Sequence, residues 1–149
     1  MPSIRRMLKG IDPLLTPDLL HALASAGHGD VVALVDANFP AARVARRLIR
    51  LPGNSASAVL DAILSVLPIE DVEPEPVTVM QAMDAPGEVP DPVREFTEVL
   101  AWHDLGEPVE MERHAFYAAA AEAFVVVQTG ERRFYGNILL TKGTIPPPV

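Results

Sequence analysis

Four histidines and no cysteine set the range of chemistry open to this chain. Without thiols there is no disulfide, no thiolate nucleophile and no cysteine-based zinc site. His28 stands apart from the other three because glycines flank it in Gly27-His28-Gly29-Asp30, between a helix-like and a strand-like stretch. Loops of this kind carry function more often than helix interiors do, and an imidazole titrating near neutrality suits proton transfer in both directions. His21 lies inside a helical pattern, His103 near the end of one, where a cation offsets the helix dipole, and His114 at the start of another; all three read as structural or surface residues.

Metal ligation finds no support, because no pair of histidines has ligand spacing and no acidic cluster accompanies them. The nucleotide-binding glycine motif, the phosphate loop and the GxSxG serine elbow are absent. What remains is polar chemistry by His, Asp, Arg, Tyr and Asn. Asp36 follows the apolar run "VVALV" and so falls beyond the carboxyl end of a strand, where ligands collect in open α/β sheets. Asp30 stands before that strand and is the weaker candidate. Arg113 precedes "AFY" near a helix start. Tyr135, Gly136 and Asn137 interrupt the last apolar strand pattern. A glycine there marks either a simple bulge or a close backbone approach. In the second case Tyr135 and Asn137, beside a carboxylate and an arginine, would suit a polyhydroxylated ligand.

The elements that must position these groups are marked in the sequence. "LTPDLLHALASAG" has Thr16 as N-cap, Pro17 in the first turn and Gly27 as a left-handed terminator. "VVALV" reads as a strand buried on both faces. A short helical stretch and a strand at Leu48–Leu51 follow, then a helix in "SASAVLDAILSVLPI" ended by Pro68. "EDVEPEPV" is an acidic, proline-broken connector, "VTVMQAM" a strand and "DAPGEVPD" a loop. "DPVREFTEVLAWHDLG" is a long helix capped by Asp91, and "ERHAFYAAAAEA" is another. "FVVVQT" and the strand in "RRFYGNILLTKG", joined through "GE", predict a C-terminal antiparallel hairpin. The expected fold is a layered α/β domain spanning 1–149, with a mixed, mainly parallel sheet flanked by helices.

The 149 residues are 49% hydrophobic but only 5% aromatic, which suits helices packed on a sheet. The first ten residues lack the apolar run of a secretory signal. No window approaches the roughly 20 apolar residues of a membrane helix. A soluble cytoplasmic protein is the expectation. A net charge of −8 argues against nucleic acid as the main partner. The first fifty residues nevertheless carry +3 and the rest −11, the surplus coming largely from Arg43, Arg46, Arg47 and Arg50. That cluster reads as a solvated helix face in preference to an anion site.

Four segments taken together, "MLKGIDPLLTPDLLHALASAGHGD", "VDANFPA", "RHAFYAAAAEAF" and "TGERRFYGNILLTKG", resemble the ribose pyranase/L-fucose mutarotase family, the fucose branch more closely. The resemblance runs from about Met7 to Gly143. It leaves "MPSIRR" as a variable tail, with Met7 as an alternative start. The resemblance implies an isomerase acting on a monosaccharide, L-fucose first, by acid/base ring opening and closing. It implies no cofactor and no metal, and a ring decamer with sites near subunit contacts. By motif, His28 matches the family's proton donor. Asp36, Arg113 and the Tyr135-Gly136-Asn137 segment match its sugar-binding groups. One departure is Asn38, where some relatives carry histidine. Ribose pyranose–furanose interconversion and non-catalytic monosaccharide binding are the alternatives.

Overall fold

A computed structural model describes residues 7–84 and 87–148; the tail at 1–6 lies outside the described residues. Eleven elements follow one another: α1 Pro17–Ser25, β1 Val31–Val35, α2 Ala41–Val44, β2 Leu48–Leu51, α3 Ala56–Leu64, β3 Val77–Met80, α4 Asp91–Trp102, β4 Val109–Met111, α5 Arg113–Glu122, β5 Val125–Thr129 and β6 Ile138–Thr141.

The starts of α1, α3 and α5 are set by polar side chains that take up otherwise unpaired amide groups. Thr16 Oγ1 accepts from the Leu19 amide at 3.3 Å, Ser55 Oγ from Ala58 at 3.2 Å and the Glu112 carboxylate from Ala115 at 3.0 Å. Helix α4 differs from its sequence expectation. Asp91 is its first helical residue, not its cap; Pro90 holds the cap position and makes no side-chain capping bond. The end of α1 differs too. Ala26 closes it in an extended conformation, and the left-handed glycine is Gly29, at φ 88°, not Gly27. The Gly27 amide instead donates to Asp30 Oδ2 at 2.7 Å.

The six strands form one mixed sheet in the order β2-β5-β1-β6-β3-β4. The pairs β2–β5, β5–β1 and β3–β4 are parallel, and β6 runs antiparallel to both β1 and β3. Side chains alternate across each strand, so the central strands feed two cores. Val32, Leu34, Val125, Val127, Ile138 and Leu140 meet α1, α3 and α4 on one face. Ala33, Val35, Val126 and Leu139 meet Phe116 and Ala120 of α5 and Ala41 of α2 on the other. This double burial is why "VVALV" and "VVV" show no polar alternation.

The mixed, mainly parallel sheet is the architecture the sequence implies, but the expected C-terminal hairpin is not formed. β5 and β6 are not neighbours; β1 lies between them. The connection is not a two-residue turn, because Gly130 is drawn away toward the β2–α3 corner. Its amide donates to Asn54 O at 2.9 Å. A Cβ on Gly130 would stand 2.4 Å from the Gly53 nitrogen, so only glycine allows this approach. Residues 130–137 then cross the carboxyl end of β1 before entering β6. β4 is a further element without a sequence signal: three residues, largely exposed, at the sheet edge.

Because Leu140 is fully buried between β1 and β3, Leu140→Ala should lower the unfolding free energy by about 2–5 kcal/mol, read from urea unfolding followed by circular dichroism.

Candidate functional site

All strands but β6 end at the same edge of the sheet, and β6 begins there. Asp36 is the first residue past β1 and is only 3% exposed. Its Oδ1 accepts the Asn38 amide at 3.0 Å and its Oδ2 the Gly136 amide at 3.2 Å. Burial pushes its pKa above the usual aspartate value, and the amides of Asn38, Gly136 and Phe39 pull partly against that. Asn137, first residue before β6, accepts the Asp36 amide on Oδ1 at 2.9 Å. That bond fixes which way the carboxamide points; its Nδ2 faces the Met80 sulfur at 3.9 Å, and the Asn137 side chain also helps pull the Asp36 pKa down. Gly136 is a close approach, not a strand bulge. A Cβ there would stand 2.8 Å from Glu131 Cγ and 3.4 Å from Asp36 Cβ.

Asp36, Asn137 and Met80 line a cleft of about 280 Å³ together with Asn38, Arg113, Tyr135, Phe39 and Tyr117. Arg113 arrives from the first position of α5. Tyr135 holds a left-handed backbone conformation, φ 66°, and its hydroxyl donates to Asp84 while accepting the Met83 amide at 3.1 Å. The hydrogen bond to Tyr135 holds the Asp84 carboxyl below the ordinary range. Phe39 packs edge-on against Tyr117, with centroids 5.2 Å apart. The cleft therefore combines a buried carboxylate, an amide donor, a phenol, a guanidinium and aromatic edges. Such a set can orient several hydroxyl groups at once.

Of the residues expected at the site, Asp36, Arg113, Tyr135 and Asn137 line this cleft, while Gly136 lies against Asp36 through its amide and does not line it. His28 does not. It precedes β1, at the opposite end of a five-residue strand that spans about 17 Å. There His28 Nε2 meets Glu70 Oε2 at 2.6 Å; the imidazole is 56% exposed and the carboxylate 3%. Glu70 also accepts the amides of Asp71 at 3.0 Å and Val72 at 3.3 Å. The hydrogen bond from His28, followed by that from the Val72 amide, keeps Glu70 ionised well below its ordinary pKa. An ionised acceptor at Nε2 places the neutral imidazole's proton on that nitrogen and leaves Nδ1 as the atom free to exchange protons.

Gly143 lets the Glu70 connector lie this close. Its amide donates to Pro68 O at 2.8 Å, and a Cβ would meet Ile69 O at 2.6 Å. Of the remaining histidines, His103 Nε2 meets Asp61 Oδ1 at 2.8 Å, joining α4 to α3, His114 stacks edge-on with Tyr117, and His21 is exposed on α1. Among the described residues no group of three or more His, Asp or Glu side chains is arranged to hold a metal ion, and no helix is long and apolar enough to cross a membrane. The basic cluster is not a helix face, because α2 ends at Val44: only Arg43 is helical, Arg46 and Arg47 lie between α2 and β2, and Arg50 is on β2. Arg46 pairs with Glu122 at 2.7 Å, and Arg47 lies over the Phe124 ring.

Sequence reasoning missed Glu70 and Asp84. Both sit in irregular, proline-rich connectors whose partners are 42 and 51 residues away in sequence, respectively. Phe39 and Tyr117 lie inside conspicuous motifs, "DANFP" and "RHAFY", yet their cleft positions follow only from the packing of α5 over the sheet.

An α/β protein with a polar, aromatic-edged cleft at the carboxyl end of its central strand is thus defined. The chain belongs to the RbsD / FucU transport protein family, whose model matches residues 9–145. Several solved structures are similar over nearly the whole chain, among them the following three. Protein Atu2016, described as a candidate sugar-binding protein, is 41% identical, with 94% of this chain and 97% of that one covered and a TM-score of 0.88. The fucose mutarotase of Streptococcus pneumoniae in complex with L-fucose is 32% identical, covering 93% and 100%, with a TM-score of 0.88. FucU of Bifidobacterium longum is 31% identical, covering 93% and 100%, with a TM-score of 0.87.

Asn137→Ala would leave the buried Asp36 amide without its acceptor and should cost about 1–3 kcal/mol of stability by chemical denaturation. Acid sensitivity follows from the depressed carboxylates. Glu70, held down by His28, and Glu95 and Glu131, held down by Arg133, contribute stability above their ordinary value of 4.5 and lose it as pH falls below that value. Unfolding free energy measured against pH should therefore drop beneath 4.5, and Glu70→Gln should reduce the slope by up to about one proton.

Proposed function

We propose that this protein is a cofactor-independent monosaccharide mutarotase that opens and recloses a sugar ring, with L-fucose as the first substrate to test. The observation that carries the reading is the convergence of Asp36, Arg113, Tyr135 and Asn137 on one cleft of about 280 Å³. The likeness to a fucose mutarotase with L-fucose bound supports it.

Ring opening needs a base for the anomeric hydroxyl proton and an acid for the ring oxygen. The C1–ring oxygen bond breaks, an aldehyde forms, the C1–C2 bond rotates and the ring closes on the other face. Asp36 and Asn137 hold hydroxyl groups, and Arg113 fixes another from the rim. Tyr135, with its hydroxyl already hydrogen-bonded at the cleft, serves as one proton carrier. His28 Nδ1, aimed by Glu70, is the other. Since His28 stands at the far end of β1 from its own chain's cleft, it acts in the cleft of a neighbouring copy. Homo-oligomerisation, a ring decamer in the fullest form of this reading, is then part of the catalytic apparatus. The mechanism asks for no metal or cofactor, and cytoplasmic sugar supply fits it.

Saturation transfer between the anomeric protons of L-fucose should show exchange accelerated by the protein. His28→Ala should lose on the order of 10²–10⁴-fold of that acceleration. An unchanged rate would remove His28 from the mechanism. His28→Ala and Asp36→Ala proteins, each inactive alone, should regain exchange when co-refolded, because a mixed contact joins an intact imidazole to an intact cleft. No recovery in verified mixed oligomers would place both groups in one chain's site. Faster interconversion of D-ribose pyranose and furanose than of L-fucose anomers would favour the pyranase alternative. Binding of either sugar with no exchange would leave a monosaccharide-binding protein.

A further inference from the structure

The crossing segment 130–137 carries Tyr135, Gly136 and Asn137 yet has no regular secondary structure between β5 and β6. Its two ends are fixed. At one end Glu131, 5% exposed, has its amide on Thr129 Oγ1 at 3.1 Å, and its carbonyl accepts the Ala37 amide at 2.8 Å. At the other end Asn137 is bonded to Asp36. Between them Phe134 stands 71% exposed, so the segment lifts away from the body of the protein just before Tyr135.

Arg133 ties that raised stretch down. Its Nη1 and Nη2 donate to both carboxylate oxygens of Glu95 on α4, at 2.7 and 2.9 Å. Its Nε and Nη2 donate to the two oxygens of Glu131, at 3.0 and 2.9 Å. Glu95 is itself steadied by the Ser57 hydroxyl of α3 at 2.9 Å, and Glu131 Oε1 accepts the Ala56 amide at 3.4 Å. An isolated exposed ion pair contributes little. A guanidinium forked on two carboxylates, one of them buried, imposes a fixed geometry as well as charge. None of Arg133, Glu95 or Glu131 lines the cleft.

Resting on the mutarotase reading, we propose that the Arg133–Glu95 fork is a positioning device: it clamps the crossing segment onto α4 and so holds Tyr135 at the reacting sugar. Tyr135 sits two residues from the fork in a left-handed conformation that a tyrosine keeps only when its surroundings impose it. Releasing the fork lets the backbone relax toward ordinary φ values and withdraws the phenol from the cleft. Glu131 remains to hold Ala37, so the Asp36 side of the site stays in place.

The test is Glu95→Ala on the full chain. Glu95 lies on a helix surface that accepts alanine, and its half-exposed side chain makes cavity formation a minor concern. Anomer exchange of L-fucose should fall in kcat by roughly tenfold or more, with KM changing less than threefold, because the binding groups near Asp36 are untouched while a reacting group is misplaced. Glu95→Gln, which keeps an oxygen for one guanidinium N–H and for Ser57, should recover part of the loss. Arg133→Lys, which keeps the charge but not the fork, should behave like Glu95→Ala. Exchange by Glu95→Ala equal to that of the unaltered protein would overturn the clamp alone. A loss shared equally by Glu95→Gln and restored by a stabilising osmolyte would reduce the fork to a structural tie and overturn the positioning role. If the unaltered protein shows no exchange, the functional reading fails and the clamp fails with it.

Discussion

β1 is hemmed in on every side, and the site depends on that. Strands β5 and β6 flank it in the sheet and helices cover both its faces. Chain leaving β5 can reach β6 only by passing over an end of β1, and since β6 runs the other way it passes over the carboxyl end. The crossing brings Gly136 and Asn137 onto Asp36. A carboxylate that would otherwise lose solvation without recompense gains backbone donors from both sides of the gap. Site and topology are linked here, since the segment whose Gly136 amide satisfies Asp36 also carries Tyr135 and Asn137 into the cleft.

The opposite end of β1 obeys a parallel logic with other residues. The Lys142 carbonyl accepts the Gly29 amide at 2.9 Å, and the Lys142 amide donates to Asp30 O at 2.8 Å, which pins the His28 turn to the exit of β6. The Lys142 ammonium also caps α1 through Leu23 O at 2.7 Å and through Ala26 O. The imidazole is exposed, yet the turn that carries it is held on both sides. Exposure of a polar ring from a rigid turn suits contact with something outside the chain.

Much of this was legible in the sequence where local rules decide. The Thr16 cap, the apolar runs of β1 and β5 and the strand at Leu48–Leu51 all formed as read. Asp36 was legible because the end of a buried strand is a recurrent place for ligands. The rest depended on long-range pairing. "GE" satisfies a hairpin's local requirement, yet Gly130 answers to Gly53 and Asn54 instead. Glu70 looks like one more acid in a charged connector until β6 brings it beside His28. Arg133 lies within a conspicuous motif, but its partner Glu95 is on a helix 38 residues earlier, beyond any local signal.

On the proposed reading, the separation of His28 from the cleft gives each copy of the chain a polarity: one end that offers an imidazole and one that takes the sugar. Under that reading an open array of copies would leave one cleft at its terminus without an imidazole and one imidazole without a cleft. Closure, by a reciprocal pair or a ring, is the arrangement in which every site is complete. With His28 acting as proposed, the number of working sites becomes a question of symmetry as much as of side-chain chemistry.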